Sequence, residues 1–278
     1  MLKIFVLASG RSGTKYLSDL FKYNIKNCIS KHEPLPNMFG KPIYWRQQEK
    51  IDKIRRKFLW KKKKIDRYAK HGNDVYIETN NAFLKSFSDV AMEYYPDMKL
   101  IHLIRNPLEV ARSELNKDTW IHTTKIKILY PFPKYYRGKD RAKYYIWTLT
   151  KKEDIYRDVQ LKSLTPYQNY LLQWIEIENR AMQFLEEYKK YDDCYTLFTP
   201  GYLNNYKKIE DMFNFFNLTL NNKKVNMTGD KNISIIPTAF SKYDEIQFQK
   251  LIENLPNKYL EIFKKKPYTE IEWSRLFR

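Results

Sequence analysis

Four short apolar runs punctuate the chain, at Lys3–Ser9, Asp74–Thr79, Lys99–Arg105 and, more weakly, Cys194–Phe198. They are rich in Ile, Leu, Val or Phe, the pattern of parallel strands buried on both faces. Between them apolar residues recur at helical spacing over Lys15–Tyr23, Arg46–Tyr68, Ala82–Tyr95, Leu108–Lys117, Tyr167–Lys190 and Asn204–Phe216, with a further helix near Asp244–Phe263. Strands alternating with helices from the first residue predict an α/β fold around a central parallel sheet. No internal repeat is present, and 278 residues suit one domain over the whole chain.

Two segments stand outside this alternation. "RRKFLWKKKK", Arg55–Lys64, is a basic block within a helical insertion near 46–70. Its lysines are expected on a solvated face, with Phe58 and Leu59 turned inward; the other reading is a surface that draws in an acidic acceptor. A Tyr- and Pro-rich insertion near 119–160, including "YPFPKYYRGKDRAKYYIWTLT", has the character of a lid or substrate wall.

Composition narrows the function classes. Hydrophobic residues make up 43% and aromatic residues 16%, which supports a packed core and excludes a disordered chain. The 51 basic and 32 acidic residues leave a formal charge of +19, which calls for an anionic partner: nucleotide, nucleic acid, acidic polysaccharide or membrane surface. No run of 18 apolar residues predicts a transmembrane helix, and MLKIFVLAS is too short for a signal segment, so a cytoplasmic or otherwise soluble protein is expected. Without such a signal the acceptor patterns at Asn217, Asn226 and Asn232 are expected to have no function. Cys28 and Cys194 are expected as buried free thiols, and His32, His71, His102 and His122 lack paired ligand spacing, so no metal site is expected.

The strongest chemical signal is "LASGRSGTKYL", residues 7–17, a strand, a glycine-containing turn and a helix. The backbone N–H groups from Ser12 to Tyr16, helped by the helix dipole, form an anion cradle, and Arg11, Ser12, Thr14 and Lys15 add side-chain donors. It is not the loop of nucleotide hydrolases: five positions beyond Gly10 stands Lys15 instead of Gly, followed by Tyr16 instead of Lys. A small-molecule kinase with a degenerate loop stays as an alternative. A second segment, "KLIHLIRNPLEVARSEL", ends a strand at Arg105 and starts a helix with Asn106 as cap, Pro107 in its first position and Glu109 in its third. Arg105 then stands at the carboxyl end of a parallel strand, where ligands bind in such sheets, with Ser113 about two turns into the helix. Arg105 and Ser113 can hold a second phosphate; equally, Arg105 can pair with a structural carboxylate.

Together "GRSGTKYL" and "IRNPLEVARS" resemble the two signature sites of the sulfotransferases that use 3′-phosphoadenosine 5′-phosphosulfate (PAPS). The resemblance is to the carbohydrate and tyrosylprotein members, good over 1–45 and 74–118 and loose over 167–220. It implies a three-layer sandwich like that of P-loop NTPases, with helices on both faces of the sheet. It implies a cradle of Arg11, Ser12, Gly13, Thr14, Lys15 and Tyr16 for the 5′-phosphosulfate, with Arg105 and Ser113 for the 3′-phosphate. It also implies no metal and a role for Arg11 at the leaving oxygen. Two positions depart from the family: Lys15 replaces a small hydroxyl residue, and Thr79 stands where the tyrosylprotein enzymes carry a Lys.

Sulfuryl transfer needs a group to take the acceptor proton, and "SKHEPLPNMFG" resembles the Glu-Pro-Leu segment of the carbohydrate enzymes. Glu33 is the first candidate base and His32, which titrates near neutrality, the second; Glu78, at a strand end, is an outside candidate. His102, inside an apolar strand, is expected as a core residue. The expected acceptor bears a hydroxyl or amine, with a sugar, acidic or neutral, ahead of a peptide tyrosine or small alcohol. A basic nucleic-acid binder is the remaining alternative, but the aromatics are scattered through core-patterned segments instead of lining a basic stripe.

Overall fold

The computed structural model describes residues 1–123, 135–138, 141, 143–229 and 239–277. The acceptor pattern at Asn232 and part of the Tyr- and Pro-rich insertion lie outside them, as does the His122 side chain. In chain order the strands are β1 (Leu2–Ala8), β2 (Cys28–His32), β3 (Val75–Thr79), β4 (Lys99–Arg105), a short antiparallel pair β5 (Tyr135–Arg137) and β6 (Lys143–Tyr145), and β7 (Cys194–Thr199). Five of them form a parallel sheet in the order β2-β3-β1-β4-β7. The helices are α1 (Thr14–Asn24), α2 (Lys41–Gln47), α3 (Ile51–Lys70), α4 (Ser88–Tyr94), α5 (Pro107–Thr123), α6 (Asp154–Asp158), α7 (Pro166–Glu187), α8 (Tyr206–Phe215) and α9 (Lys242–Glu253).

Alternation along the central strand divides the core in two. Ile4, Val6 and Ala8 of β1 pack with Leu17 and Phe21 of α1 and Met212 and Phe213 of α8. Phe5 and Leu7 face the opposite layer, with Phe58 of α3, Val90 of α4, Leu108 of α5, Trp174 of α7 and Phe248 of α9. Both faces of the sheet are therefore covered, which is why its strands read as continuous apolar runs. The result is the predicted three-layer α/β fold.

Several expectations are corrected. The helix expected over Arg46–Tyr68 is two helices, α2 and α3, parted at Glu49, whose φ is 53°. The one expected over Ala82–Tyr95 begins as a π-helical turn, Phe83–Phe87, before α4. Strand β2 escapes the pattern because "CISKH" lies at the sheet edge and has no apolar run to reveal it. Leu59 is exposed, not inward, whereas Lys61 two positions on is buried. Cys28 and Cys194 are free thiols but only partly buried as residues, and desolvation of their thiols pushes both up to about 12. No helix among the described residues is long and apolar enough to cross a membrane.

The topology marks one place on the sheet. The connection leaving β1 runs toward β2 and that leaving β4 runs toward β7, so two adjacent strands send their chains in opposite directions. A crevice opens outside the carboxyl ends of such strands.

Candidate active site

The loop after β1 and the start of α5 meet at that crevice. Arg11 Nε donates to Ser113 Oγ at 2.9 Å, and an Arg105 terminal nitrogen donates to the Arg11 carbonyl oxygen at 2.8 Å. Arg11 has φ 60° and Gly13 φ 91°, so two left-handed residues within three positions make the tight turn. A non-glycine residue there costs about 1–3 kcal/mol, strain characteristic of ligand-gripping loops. Gly13 caps α1 without a side-chain hydrogen bond, and the first turn of the helix holds no acidic residue. Both features suit an anion at its N-terminus.

The remaining predicted cradle residues divide by role. Ser12 is buried and its hydroxyl shares a 2.8 Å hydrogen bond with Ser9, so its side chain braces the loop. Thr14 is buried at the first position of α1. Lys15 is paired with Asp19 at 2.7 Å, one turn along the helix. The Tyr16 hydroxyl donates to the Met227 carbonyl at 2.6 Å, which pins the 225–229 segment over α1.

Around the second segment, Asn106 caps α5 by accepting from the Leu108 amide at 2.9 Å. Glu109, rather than closing a capping box, accepts from Arg105 Nε at 2.9 Å. Arg105 thus does pair with a carboxylate, yet its other arm remains on the loop. Ser113 is buried, not a surface hydroxyl. Next to it, Glu114 explains Gly10: a Cβ at position 10 would stand 2.0 Å from Glu114 Oε1.

The proton-accepting candidates stand at the end of β2. Glu33 has φ 45° and accepts a short hydrogen bond from Asn81 Nδ2; it pairs with neither Arg11 nor Lys15. His32 Nδ1 lies 3.1 Å from the Thr79 carbonyl oxygen, which only accepts, so this nitrogen carries the proton. Burial pushes His32 below the usual histidine range despite the pull of Glu33, which keeps the ring neutral with its lone pair on Nε2.

Glu78 is removed from the catalytic candidates by its surroundings. It is fully buried and holds Lys61 Nζ at 2.9 Å, the Tyr76 hydroxyl at 2.7 Å and Asn80 Nδ2 at 2.8 Å. Lys61 also donates to the Pro34 carbonyl at 3.2 Å, Lys64 to that of Leu35 at 3.1 Å and Lys57 to Asn37 Oδ1 at 3.4 Å. Lysines at spacings of four and three share one helix face. The basic block therefore stitches the loop after Glu33 to α3, a role neither sequence reading assigned. His102 is the expected core residue, its Nε2 lying 3.0 Å from Glu178.

Sequence reasoning missed Asn81, Lys85 and Glu114. Lys85 carried a signal: it interrupts the apolar run "AFLKSF" at a position that the helical pattern turns inward. It is buried, and burial pushes it down to about 8 against the pull of Glu114 and Glu33. A separate cleft of about 1010 Å³, bounded by α2, α4, α6 and α7, includes none of Arg11, Glu33, Arg105 or Ser113. Its charges are largely spent on one another, as in Arg46–Asp89 and Arg180 with Glu153 and Glu176. Among the described residues no group of three or more His, Cys, Asp or Glu side chains is arranged to hold a metal.

No protein-family model matches the chain, and no curated protein matches it. Among solved structures it is similar to a sulfotransferase from Alicyclobacillus acidocaldarius, with a TM-score of 0.44 and 13% identity over 93% of this chain and 98% of that one.

Proposed function

We propose that the chain transfers a sulfuryl group from PAPS to a hydroxyl-bearing acceptor, most simply a sugar. The observation that carries this reading is the hydrogen bond between Arg11 and Ser113, residues 102 positions apart, across the crevice where β1 and β4 diverge. Two cationic side chains, a buried hydroxyl and an uncapped helix N-terminus converge there, a donor set suited to a ligand with two separate anionic groups.

The residues fit such a donor in kind. The turn at Arg11–Lys15 would hold its 5′ end, and Arg105 with Ser113 its 3′-phosphate. PAPS supplies the activated sulfuryl group and a good leaving phosphate. Arg11 places a cationic guanidinium at the loop and so can stabilise negative charge developing beside it. Glu33, held by Asn81 at the end of β2, would take the acceptor proton at its carboxylate, with His32 Nε2 as the second candidate. The net charge of +19 favours an acidic acceptor over a neutral one.

The test is calorimetric titration with 3′-phosphoadenosine 5′-phosphate (PAP) without metal, beside ATP with Mg²⁺, on the wild-type chain and on Arg105→Ala. Metal-free binding of the bisphosphate that weakens in Arg105→Ala is expected. Preference for ATP with Mg²⁺ would replace this reading with the kinase.

A further inference from the structure

The geometry points to Lys85 as the positioning residue that aims Glu33, acting through the side-chain amide of Asn81. The inference deepens the sulfotransferase reading and rests on it for the role of Glu33, but not for the geometry itself.

Lys85 lies in the π-helical turn Phe83–Phe87, every residue of which is buried. Single π turns inside helical segments recur at functional sites because the extra residue re-aims a side chain. Lys85 Nζ donates to the Trp147 carbonyl at 2.8 Å and to Asn81 Oδ1 at 3.3 Å, and Asn81 Nδ2 donates to Glu33 Oε1. The order of atoms matters. An ammonium has donors and no acceptor, so beside Lys85 the Asn81 amide is forced to present its oxygen. Its NH₂ is then directed at Glu33. Without the ammonium only the carboxylate itself selects the NH₂ face, and the oxygen end of the amide is left unanchored.

Other charged groups bear on the pair. Glu33 shares its loop with His32, which Lys15 and Asp19 of α1 face; Lys85 is faced by Glu114 and Lys117 of α5 and Arg180 of α7 as well as by Glu33. Lys85 therefore feels the pull of both the candidate base and Glu114, the acid that lies against Gly10. Its contact with Trp147 also ties in the segment that follows β6.

The Asn81 side-chain amide protons report this directly in ¹H–¹⁵N spectra, assigned by their loss in Asn81→Ala. In the wild type one proton is expected downfield through its bond to Glu33 and to move back in Glu33→Gln. The proposal expects the same loss of shift in Lys85→Met. Should that variant not fold, Lys85→Gln retains a donor for the Trp147 carbonyl but not the charge, and an averaged or split signal is expected. A wild-type Asn81 signal in whichever variant folds overturns the proposal, since a merely structural Lys85 would leave that amide unchanged. Transfer of ³⁵S from labelled PAPS to oligosaccharides should fall about tenfold in the same variant while the Kd for PAP stays within about twofold; an equal loss in both overturns the positioning role. Failure of the wild type to bind PAP overturns the sulfotransferase reading alone, and the amide signal still decides the role of Lys85.

Discussion

Arg11 and Ser113 are joined by a 2.9 Å hydrogen bond that closes the loop after β1 onto the second turn of α5. The bond is charge-assisted, and such bonds contribute about 1.5–3 kcal/mol. Ser113→Ala is therefore expected to weaken PAP binding about tenfold and to lower Tm by several degrees, roughly 2–4 °C per kcal/mol lost. Arg11→Ala removes both the bond and the charge proposed to stabilise the leaving group, and about a hundredfold loss of transfer rate is expected. Calorimetry and ³⁵S transfer separate the two effects.

The two glycines of the loop should behave differently on substitution. Gly13→Ala places a Cβ in a left-handed residue at φ 91° and 2.8 Å from Leu203 Cδ2, so backbone strain and packing both oppose it. A loss of about 1–3 kcal/mol of stability is expected, seen as a lower urea midpoint. Gly10→Ala meets only the end of the Glu114 side chain, which can swing away. Its stability should change little, while PAP affinity falls because the displaced carboxylate crowds the anion cradle.

Lys61 and Glu78 form a buried ion pair at 2.9 Å, at the base of the loop that carries Glu33. Removing one partner of such a pair strands the other charge and costs about 3–5 kcal/mol. Lys61→Met and Glu78→Gln should each show a large loss in urea denaturation. The double variant should lose clearly less than the sum, the signature of direct coupling.

Those residues also show where sequence legibility ends. The central strands and the long helices were readable because burial on both faces writes itself as apolar runs and helical spacing. The juxtaposition of Arg105 with the first loop was readable too, since parallel strands bring their carboxyl ends to one edge. Edge strand β2 was not, because its pairing is made by backbone and leaves no apolar run. Nor were the contacts that hold the Glu33 loop: Asn81, in the turn after β3, reaches Glu33, and Lys61 of α3 reaches the Pro34 carbonyl, contacts between segments whose spacing in sequence carries no trace of them. A lysine block reads as surface in any composition count, and only packing reveals that Lys61 is inside.

Glu33 and His32 separate by substitution. Burial keeps His32 neutral below the usual histidine range, so it is available as a base at pH 7, but its Nδ1–H is committed to Thr79. Glu33→Gln preserves shape and removes the proton acceptor, and a fall in ³⁵S transfer of about 10²–10⁴ is expected with PAP binding retained. His32→Gln should cost less than about tenfold. The reverse ranking would assign the base to His32.

Lys85 gives stability a pH dependence whose sign is fixed by its burial. Its ordinary value is 10.5, and in the folded chain it is pushed down to about 8. Between these values the unfolded chain holds a proton that the folded chain has released, so stability rises with pH across that window and is lost as pH falls through 8. The displacement corresponds to about 3 kcal/mol, the penalty at neutral pH for keeping this ammonium charged inside the protein. Lys85→Met has no such group. The difference in unfolding free energy between wild type and variant should therefore move toward the wild type by about that amount between pH 7 and pH 10.5, measured by urea denaturation at successive pH values. The comparison must be made as a difference, because the many buried tyrosines titrate higher in the folded chain and pull stability down in both proteins above pH 10. A flat difference across the window would mean that Lys85 holds its proton in the folded state as firmly as in the unfolded one. The attraction of Glu114 and Glu33 would then fully offset burial, and the lysine would be a full partner in an ion-pair network.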